Sequence, residues 1–522
     1  MSSKPMCTAE IIRQWGSETP DATAMIFEGA KTTWAELDHR STLVANALAK
    51  AGVGSQERVV FLDKNGPSYF EVAFGVAKIN SVLVAANWRL AGPELVYTIN
   101  DSMAKIVIVG PDFIPLIEQI SAELTTVTKI IVIADHPKWE SYEDFLAAAS
   151  TADPGTTSPI GDVCMQLYTS GTTGLPKGVM LTNANMFTLF QEIATYWRFD
   201  QDSINVVAMP LFHIGGCGWA MVGMYRGGQS VIVRDFVPST VLDLMVDYHT
   251  TNALFVPAML QFLSAVPGAG DRDYSAMRAI NYGASPITDE TLLSAMKVFK
   301  CRFVQVYGMT ETNGAITELS AEDHDPDGPR AHLLRSAGRP YPWVELRIMD
   351  LESTDPLPVG QVGEVWTRSP QNMLGYWNKP EETEKTKTAD GWLRTGDAGY
   401  LDEEGFLFLT DRVKDMIVSG GENVYPAEVE NALASHPGIA EVAVIGVPHE
   451  RWGESVKAIV VKREGVPVTG PEIISYAKER LASYKCPTSV DFIDLLPRNP
   501  SGKVLKKDLR EPFWAGMARR VN

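Results

Sequence analysis

The sequence predicts an α/β protein with a large N-terminal domain, built of two layered α/β subdomains and a small β-rich subdomain, and a small α+β C-terminal domain. The chain has 522 residues, more than a single hydrophobic core usually supports. Helical apolar spacing alternates with short β-branched runs through its first part. Near residue 340 this pattern gives way to short strands and turns. Together these observations predict layered sheets followed by smaller β-rich and α+β parts.

The first elements set the β-α-β rhythm. The stretch TTWAELDHRSTLVANALAKAGV has a threonine cap, Glu36 shortly after it, helical apolar spacing and Gly52 as a stop, so it predicts a helix. ERVVFL predicts a strand, VAFGVAKI a helix and KIVIVG a second strand, as in a largely parallel sheet. Further strands are predicted at KIIVIA, CMQLYTS, QSVIVR, ALFVP and FVQVYG.

The second half of the chain reads differently. VELRIMD, GEVWTR and GFLFLT predict the short strands of a β-rich subdomain. From about Asp411 a loop-rich stretch leads to a strand, KAIVVK, and a helix, GPEIISYAKERLA. We therefore expect an N-terminal domain at residues 1–411 and a C-terminal domain at residues 412–522, the second of which is within the usual size range of a single domain.

Composition and charge exclude several classes of protein. Hydrophobic residues make up 45% and charged residues 21%, which is ordinary for a globular chain. The formal net charge of -18 argues against a nucleic-acid partner or a constitutive anchor on anionic membranes. No apolar run is long enough to span a bilayer, and the first residues lack the apolar core of a signal peptide. Cysteines without a CxxC pair suggest reduced thiols and a cytoplasmic location; they are Cys7, Cys164, Cys217, Cys301 and Cys486.

The stretch YTSGTTGLPKG at residues 168–178 is the strongest local signal of function. Glycines, hydroxyls and Lys177 after a strand can present backbone N–H groups and positive charge to phosphate oxygens. The spacing does not fit a Walker A loop, because Pro176 stands where that motif needs glycine. There is no GxSxG and no HExxH, so neither a hydrolase nucleophile nor a zincin site is indicated. A plain surface turn remains the alternative for this stretch alone.

Taken with later motifs, the stretch resembles the phosphate loop of the adenylate-forming superfamily, which includes acyl-CoA synthetases, luciferases and peptide-synthetase adenylation domains. The resemblance covers nearly the whole chain, in order, through NYGASP (281–286), VYGMTE (306–311), WLRTGD (392–397), DRVKDMIVSGGENVYPAEVE (411–430) and LPRNPSGKVLKK (496–507).

The resemblance implies an ATP site. Glu311 would hold Mg²⁺ together with Thr172, a role that suits a carboxylate and a hard cation. Tyr307 would stack on adenine, although a core aromatic is the alternative. Catalytic roles would fall to Lys503, Glu311, Thr172 and Lys177. Residues expected to bind ATP or AMP are Thr169, Ser170, Gly171, Thr173, Gly174, Gly283, Ala284, Ser285, Tyr307, Gly308, Met309, Thr310, Asp397 and Arg412.

The C-terminal motifs imply a mobile domain and coenzyme A as co-substrate. By resemblance, Lys503 would bridge the carboxylate and the α-phosphoryl group, although a solvated lysine is the alternative. The domain would then rotate about a hinge at Lys414 and bring in a loop for coenzyme A formed by Ser419, Gly420 and Gly421. PRNPSGK also resembles a pattern acetylated in bacterial relatives, so a lysine acetyltransferase acting on Lys503 is a possible partner.

The acyl pocket is expected between the helix at 185–199, the segment 210–219 and the strand end at Tyr282, Gly283 and Ala284. His213 and Trp219 are its other expected members; a packed histidine and a core tryptophan are the alternatives. No acid stands where amino-acid-activating domains bind the amine, which favours a plain carboxylic acid. The resemblance therefore implies an acyl-CoA synthetase using ATP and Mg²⁺, with medium- or long-chain fatty acids as the first expectation and aryl or alicyclic acids as the alternative.

Other functions stay open at this point. An acyl-AMP ligase could deliver its acyl group to a carrier protein instead of coenzyme A. A luciferase-type oxygenase is disfavoured by Val418, which stands where luciferases carry a lysine. A silent nucleotide-binding relative is disfavoured because the motif residues are intact. Both a monomer and a homodimer are compatible with the sequence.

Overall fold

The computed structural model describes residues 6–169, 175–285, 287–412, 415–419, 422–449, 452–498 and 504–515. By backbone proximity the chain forms two compact units. The first unit comprises residues 1–284, 293–324 and 368–392, and the second comprises residues 285–292, 325–367 and 393–522. The predicted domain boundary between residues 411 and 412 concerns independent movement and stays a prediction.

The helices are numbered in chain order: α1 (Thr8–Glu18), α2 (Trp34–Lys50), α3 (Pro67–Lys78), α4 (Gly92–Asp101), α5 (Ile114–Ile120), α6 (Tyr142–Ala147), α7 (Asn183–Tyr196), α8 (Ile214–Tyr225), α9 (Pro238–Asp247), α10 (Pro257–Ser264), α11 (Asp289–Phe299), α12 (Pro380–Thr386), α13 (Pro426–Ala434), α14 (Gly470–Lys478) and α15 (Lys506–Trp514).

The strands are numbered in the same way: β1 (Thr23–Phe27), β2 (Ala30–Thr33), β3 (Arg58–Leu62), β4 (Val82–Ala85), β5 (Ile106–Val109), β6 (Lys129–Val132), β7 (Glu140–Ser141), β8 (Val163–Thr169), β9 (Lys177–Thr182), β10 (Ile204–Val207), β11 (Gln229–Ile232), β12 (Asn252–Phe255), β13 (Ala279–Gly283), β14 (Arg302–Met309), β15 (Gly314–Leu319), β16 (Arg339–Pro340), β17 (Glu345–Met349), β18 (Gly363–Arg368), β19 (Gly375–Tyr376), β20 (Leu393–Leu401), β21 (Leu407–Arg412), β22 (Ile417–Ser419), β23 (Glu422–Val424), β24 (Ile439–His449), β25 (Gly453–Lys462) and β26 (Ser489–Phe492).

The first unit contains two layered sheets. One has the strand order β15-β14-β13-β12-β10-β11-β1-β2, and the other β19-β9-β8-β4-β3-β5-β6-β7. Neighbours from β14 through β1 run parallel, whereas the pairs β14–β15 and β1–β2 are antiparallel. In the second sheet the pairs β8–β9 and β9–β19 are antiparallel and the others parallel. Parallel strands covered by helices on their faces are typical of layered α/β folds.

The second unit contains two smaller sheets. One is antiparallel along β18, β20 and β21, with β17 beside β18. The other has the order β23-β22-β25-β24, with β26 running parallel to β25. The apolar residues that hold the second of these sheets against its helices include Val429, Leu433 and Ile473, all fully buried. The predicted β-rich and α+β parts are therefore present, and the predicted fold class is confirmed.

Local signals in the sequence place α2 correctly. Thr33 caps its N-terminus, where the Glu36 N–H donates to the Thr33 hydroxyl and the Thr33 N–H donates to the Glu36 carboxylate. Gly52, just beyond the last turn, has φ +88°, a conformation that favours glycine. Along the described chain, no helix is both long enough and apolar enough to cross a bilayer.

Candidate ATP and acyl site

The predicted phosphate loop connects two antiparallel strands. Thr169, the last residue of β8, pairs directly with Lys177, the first residue of β9. At the C-terminal end of the loop, the Tyr97 hydroxyl donates to the Pro176 carbonyl over 3.2 Å. Tyr168 donates its hydroxyl hydrogen to Asp101 over 2.7 Å, and burial together with this acceptor raises its pKa. The two ends of the loop are therefore held by hydrogen bonds of the first unit.

The predicted adenine segment follows β13 in the first sheet. A Cβ on Gly283 would overlap the Val306 carbonyl oxygen of the neighbouring strand, so only glycine fits. Ala284, which follows, is exposed and has φ +67°. Tyr307 is half-buried near the end of β14, one strand away. The structure thus brings the ends of β13 and β14, which carry two of the predicted nucleotide motifs, next to each other.

Glu311 lies in a 3₁₀ turn, Thr310–Thr312, directly after β14. Its side chain is buried, and its Oε1 accepts a hydrogen bond from the Tyr376 hydroxyl over 2.8 Å. The Met373 N–H donates to the Glu311 carbonyl over 2.8 Å. Among the described residues, no group donates to Oε2. One oxygen of a fixed carboxylate is therefore available for a ligand.

Tyr376 also connects Glu311 with Lys177. It belongs to β19, which pairs with β9, and its ring centroid lies 4.3 Å from the Lys177 Nζ. The same ammonium group lies 3.5 Å from a carboxylate oxygen of Glu382. Burial, with the Glu311 charge as the next cause, raises the pKa of Tyr376, so its hydroxyl stays protonated and donates. Two predicted catalytic residues, Glu311 and Lys177, therefore contact the same tyrosine, one at its hydroxyl group and the other at its ring.

The segment that carries Tyr376 was missed by the sequence reasoning. Gln371, fully buried, donates from Nε2 to the carbonyls of Thr312 and Ala315 over 2.7 and 2.9 Å. Asn185 of α7 donates to the Asn372 carbonyl over 2.8 Å. These bonds hold residues 370–376 against the Glu311 turn. A two-residue strand is too short to show a periodicity. The local sign of an ordered segment in the sequence is the glycine and tryptophan on either side of Tyr376, Gly375 and Trp377.

The predicted ribose and nucleotide contacts lie in the second unit. Asp397, buried on β20, pairs through the backbone with Arg412 on β21, so two predicted nucleotide residues stand opposite each other. Glu364, which the sequence reasoning did not single out, accepts from the Gly396 N–H over 3.1 Å and from the Trp366 indole over 2.8 Å. Burial raises the pKa of Glu364. Ser285 and Ser419 also belong to this unit.

His213 caps the N-terminus of α8. Its Nδ1 accepts from the Gly215 N–H over 3.0 Å, which places the proton of the neutral ring on Nε2. Burial lowers its pKa to about 4. Trp219, six residues after His213 in α8, is buried against Trp197 and Phe199, with ring centroids 5.2 and 5.0 Å away. Its indole donates to a backbone carbonyl of β10 over 3.1 Å. These contacts account for its burial without a ligand, and its pocket role stays a prediction.

Tyr282 points away from the helices that were expected to border the acyl pocket. It is fully buried, and its hydroxyl is 2.9 Å from His324 Nε2. Side chains alternate between the two faces of a strand, so its neighbours Asn281 and Gly283 face the other way. At this strand end, the side of the sheet opposite Tyr282 is therefore bordered by Asn281 and Gly283. In the sequence, Asn281 is part of the NYGASP motif.

Several predicted residues lie outside the described residues, and their roles stay predictions: Ser170, Gly171, Thr172, Thr173, Gly174, Lys414, Gly420, Gly421 and Lys503. The Arg412 side chain also lies outside them. In the described part of the chain, no group of three or more His, Cys, Asp or Glu side chains is arranged to hold a metal ion.

Comparison with known proteins gives consistent matches over both parts of the chain. A family described as AMP-binding enzyme matches residues 12–377, and one described as AMP-binding enzyme C-terminal domain matches residues 428–503. The chain is 40% identical to a fatty acid–[acyl-carrier-protein] ligase of Streptomyces coeruleorubidus, across 96% of both chains. It is 37% identical to a feruloyl-CoA synthase of an Amycolatopsis species, across 95% of this chain and 96% of that one. ATP-bound MatB from Rhodopseudomonas palustris has the same fold, with a TM-score of 0.88, 32% identity, and coverage of 97% of this chain and 99% of that one.

Proposed function

Because the chain belongs to the AMP-binding enzyme family, we propose that it is an ATP-dependent acid–thiol ligase that converts a carboxylic acid into its coenzyme A thioester. The observation that carries this proposal is the arrangement of Glu311, Tyr376 and Lys177 at the base of the phosphate hairpin. It places a fixed carboxylate and an ammonium group around one tyrosine. Such a pair suits a triphosphate with its metal ion, since one group binds the cation and the other the phosphate charge.

The reaction has two steps. In the first, a carboxylate oxygen attacks the α-phosphorus of ATP, the bond to the bridging oxygen breaks, and pyrophosphate leaves. In the second, the thiol of coenzyme A loses its proton, its sulfur attacks the acyl carbonyl carbon, and AMP leaves. Both substrates of the first step are anions, so the protein's task is to neutralise charge and to position them. Lys177 and Lys503 are the cations that we assign to this task.

Glu311 and Thr172 would hold Mg²⁺, and the hard oxygen of a carboxylate fits this cation. When bound, Mg²⁺ would offset the charge of the departing pyrophosphate. Tyr376 would keep Glu311 in one orientation for this purpose. Asp397 would accept hydrogen bonds from the ribose hydroxyls, and Tyr307 would lie against adenine.

The acid we expect has a bulky and mostly apolar acyl group. Ala284, at the strand end beside the predicted pocket, has a small side chain, and the neutral ring of His213 at the start of α8 adds no charge. Medium- or long-chain fatty acids and aryl acids both meet this description. A relative at 37% identity is named for feruloyl-CoA formation, which supports the aryl class.

A second candidate is a ligase that delivers the acyl group to a carrier protein. Its support is the 40% identity with a ligase named for an acyl carrier protein. The first half-reaction would be unchanged, because only the thiol acceptor differs.

The experiment is pyrophosphate release from Mg-ATP with a panel of fatty, aryl and alicyclic acids, with and without coenzyme A, followed by mass spectrometry of the products. An acyl-CoA product would support the proposed function. Pyrophosphate and acyl-AMP with no thioester would favour the carrier-protein candidate, which acyl carrier protein added as acceptor would then test. No pyrophosphate with any acid would contradict both.

A further inference from the structure

A buried asparagine without hydrogen-bond partners lies under the helices that border the predicted acyl pocket. Asn281 on β13 is fully buried, and neither its amide nitrogen nor its amide oxygen has a partner among the described residues. Buried amides are almost always hydrogen-bonded, because an unmet donor and acceptor away from water is costly. An exception in the core of an enzyme calls for a physical reason.

Strand register fixes the face on which Asn281 lies. Asn205 of β10 pairs with Asn252 of β12, and Leu254, two residues after Asn252, pairs with Asn281. Directly paired residues share a face, and so do alternate residues of one strand. Asn205, Asn252 and Asn281 therefore point to the same side of the first sheet.

That side is covered by α7 and α8. The Asn252 side-chain nitrogen donates to the carbonyl of Trp197, at the end of α7, over 2.8 Å. A Cβ added to Gly223 of α8 would lie 3.1 Å from the Asn205 amide nitrogen. Asn252 thus has a structural role that Asn281 lacks, since its amide connects the strand to the helix.

The sheet residues around Asn281 are apolar. Its direct neighbours across the sheet are Leu254 and Val304, and on its own strand the residues of the same face are Ala279 and Gly283. Across from the sheet, α8 contains Gly218, which is buried. A Cβ there would meet only Ile214, at 3.4 Å, within the described residues. Packing does not require a glycine at this position, so Gly218 leaves room beside α8.

We propose that Asn281 binds a hydroxyl group on the acyl part of the substrate, and that the acid is therefore a hydroxylated aryl or alkyl carboxylic acid. The proposal rests on the proposed function and narrows its substrate class. A hydroxyl group both donates and accepts, so it satisfies the amide oxygen and the amide nitrogen together. A second carboxylate would only accept, and it would bring a charge against Leu254 and Val304.

Position along the strand sets the distance at which the hydroxyl is recognised. Asn281 lies two residues before Gly283, which corresponds to about 7 Å along β13 from the strand end that carries the predicted nucleotide motif. The carboxylate must meet the α-phosphoryl group of the nucleotide, so we place it at that end. A hydroxyl group at the far side of an aromatic ring, or several carbons along an alkyl chain, reaches that depth.

The test compares acids that differ only by a hydroxyl group: 4-hydroxycinnamate with cinnamate, 4-hydroxyphenylacetate with phenylacetate, and 8-hydroxyoctanoate with octanoate. We expect kcat/KM of the wild-type protein to favour the hydroxylated acid by about tenfold or more in at least one pair, because a site built for a hydroxyl group rejects the analogue without it. Asn281→Ala and Asn281→Leu should bring that ratio to about one, with the KM for ATP unchanged. Asn205→Ala removes a second amide of the same face that has no partner within the described part of the chain, and it should leave the ratio as it is.

Stability separates this role from a structural one. Asn281→Leu removes an amide to which no described residue is hydrogen-bonded, so the Tm of the variant without ligand should equal or exceed that of the wild-type protein. The proposal is overturned if wild-type ratios are near one for all three pairs, or if both Asn281 variants keep the wild-type ratio. Thioester formation with such equal ratios would leave the proposed function standing. If no thioester forms, the rise in Tm that each acid gives the wild-type protein replaces kcat/KM, and equal rises within every pair overturn the proposal.

Discussion

Tyr376 holds the carboxylate of Glu311 by one hydrogen bond while its ring lies against Lys177. Tyr376→Phe removes the bond but keeps the ring. A hydrogen bond to a charged group contributes about 1.5–3 kcal/mol, so we expect pyrophosphate release to fall by about 10- to 100-fold. As a positioning residue, Tyr376 should affect the Mg²⁺ dependence most. The measurement is kcat and the Mg²⁺ concentration at half-maximal rate.

The matched control is Tyr274→Phe. Tyr274 is also buried, and its hydroxyl donates to the Ala269 carbonyl over 3.0 Å. Like Tyr376→Phe, this variant loses one buried hydrogen bond, but it should keep the wild-type Mg²⁺ dependence. If Tyr376→Phe and Tyr274→Phe behaved alike in the Mg²⁺ titration, Tyr376 would have no special relation to the metal.

His324 should make the protein less stable in mild acid. Its Nδ1–H donates to the Ser320 carbonyl over 2.7 Å, so its Nε2 accepts from Tyr282. Burial lowers its pKa to about 4, against the opposite effects of the hydrogen bond to Ser320 and the charges of Asp323 and Glu322. The unfolded ring titrates near pH 6.5, so its contribution is complete above that pH and is lost as the pH falls toward 4. We expect a loss of about 2 kcal/mol in the free energy of unfolding between pH 7 and pH 5.

His324→Gln provides the comparison. The amide of glutamine can donate to Ser320 and accept from Tyr282 but does not titrate. Urea unfolding at pH 7 and pH 5 should therefore show a smaller loss for this variant than for the wild-type protein. An identical loss in both would assign the acid sensitivity to other groups, such as His213, whose pKa is also lowered to about 4 by burial.

Helix α8 begins with closely spaced glycines, and a side chain is excluded by packing at one of them but not at another. A Cβ on Gly216 would overlap the Pro210 carbonyl oxygen, whereas one on Gly218 would meet only Ile214, at 3.4 Å. Gly216→Ala should therefore destabilise the protein by about 1–3 kcal/mol or more. Gly218→Ala should be neutral or stabilise it by up to about 1 kcal/mol, because alanine is the better helix former. Thermal unfolding of both variants checks this.

Activity adds a second expectation for the same pair. If Gly218 leaves room for the acyl group, Gly218→Ala should raise the KM of the bulkiest acids while leaving the KM of ATP unchanged. A Gly216→Ala protein that is as stable as the wild type would contradict the close approach of α8 to Pro210.

Most elements could be predicted from the sequence because their signals are local. The capped helix α2 and the buried parallel strands β3 and β5 follow from caps and from continuous apolar runs. The motif strands β13 and β14 also lie where predicted. What escaped prediction depends on distant segments: the pairing of β19 with β9, and the hydrogen bond from Tyr376 to Glu311, 65 positions apart in the chain.

The candidate site was predicted only in part for the same reason. Motifs identified Glu311 and Lys177, but a motif does not show which face of a strand its residues occupy. Only the strand register shows that Tyr282 faces His324 and that Asn281 lies on the side of α7 and α8. One position of shift along β13 would exchange their faces.

At the scale of the whole molecule, the resemblance implies that the two half-reactions use different parts of the C-terminal region. Lys503→Ala should lower the adenylation rate by about 10²–10³-fold, the effect of losing one preorganised electrostatic contact. Thioester formation from supplied acyl-AMP should be little changed. Lys507→Ala, a nearby exposed lysine, is the control. Equal losses in both half-reactions would contradict the role of Lys503.

The hinge can be tested separately. Lys414→Pro restricts backbone rotation at the predicted pivot, so pyrophosphate release should persist while thioester formation is lost. Lys414→Ala keeps the backbone free and should retain both activities. Full ligase activity of the proline variant would contradict rotation about Lys414.

The hairpin of β8 and β9 would allow the phosphate loop to be replaced by protein engineering. Lys177 belongs to β9 and is paired with Thr169 across the sheet. Strand hydrogen bonds therefore fix the backbone from which its charged side chain extends. The intervening seven residues, 170–176, can therefore be treated as an exchangeable insert between two fixed ends. A loop of equal length grafted from another chain would meet the same ammonium group at the same place. This makes the hairpin a scaffold on which loop chemistry can be varied independently of that charge.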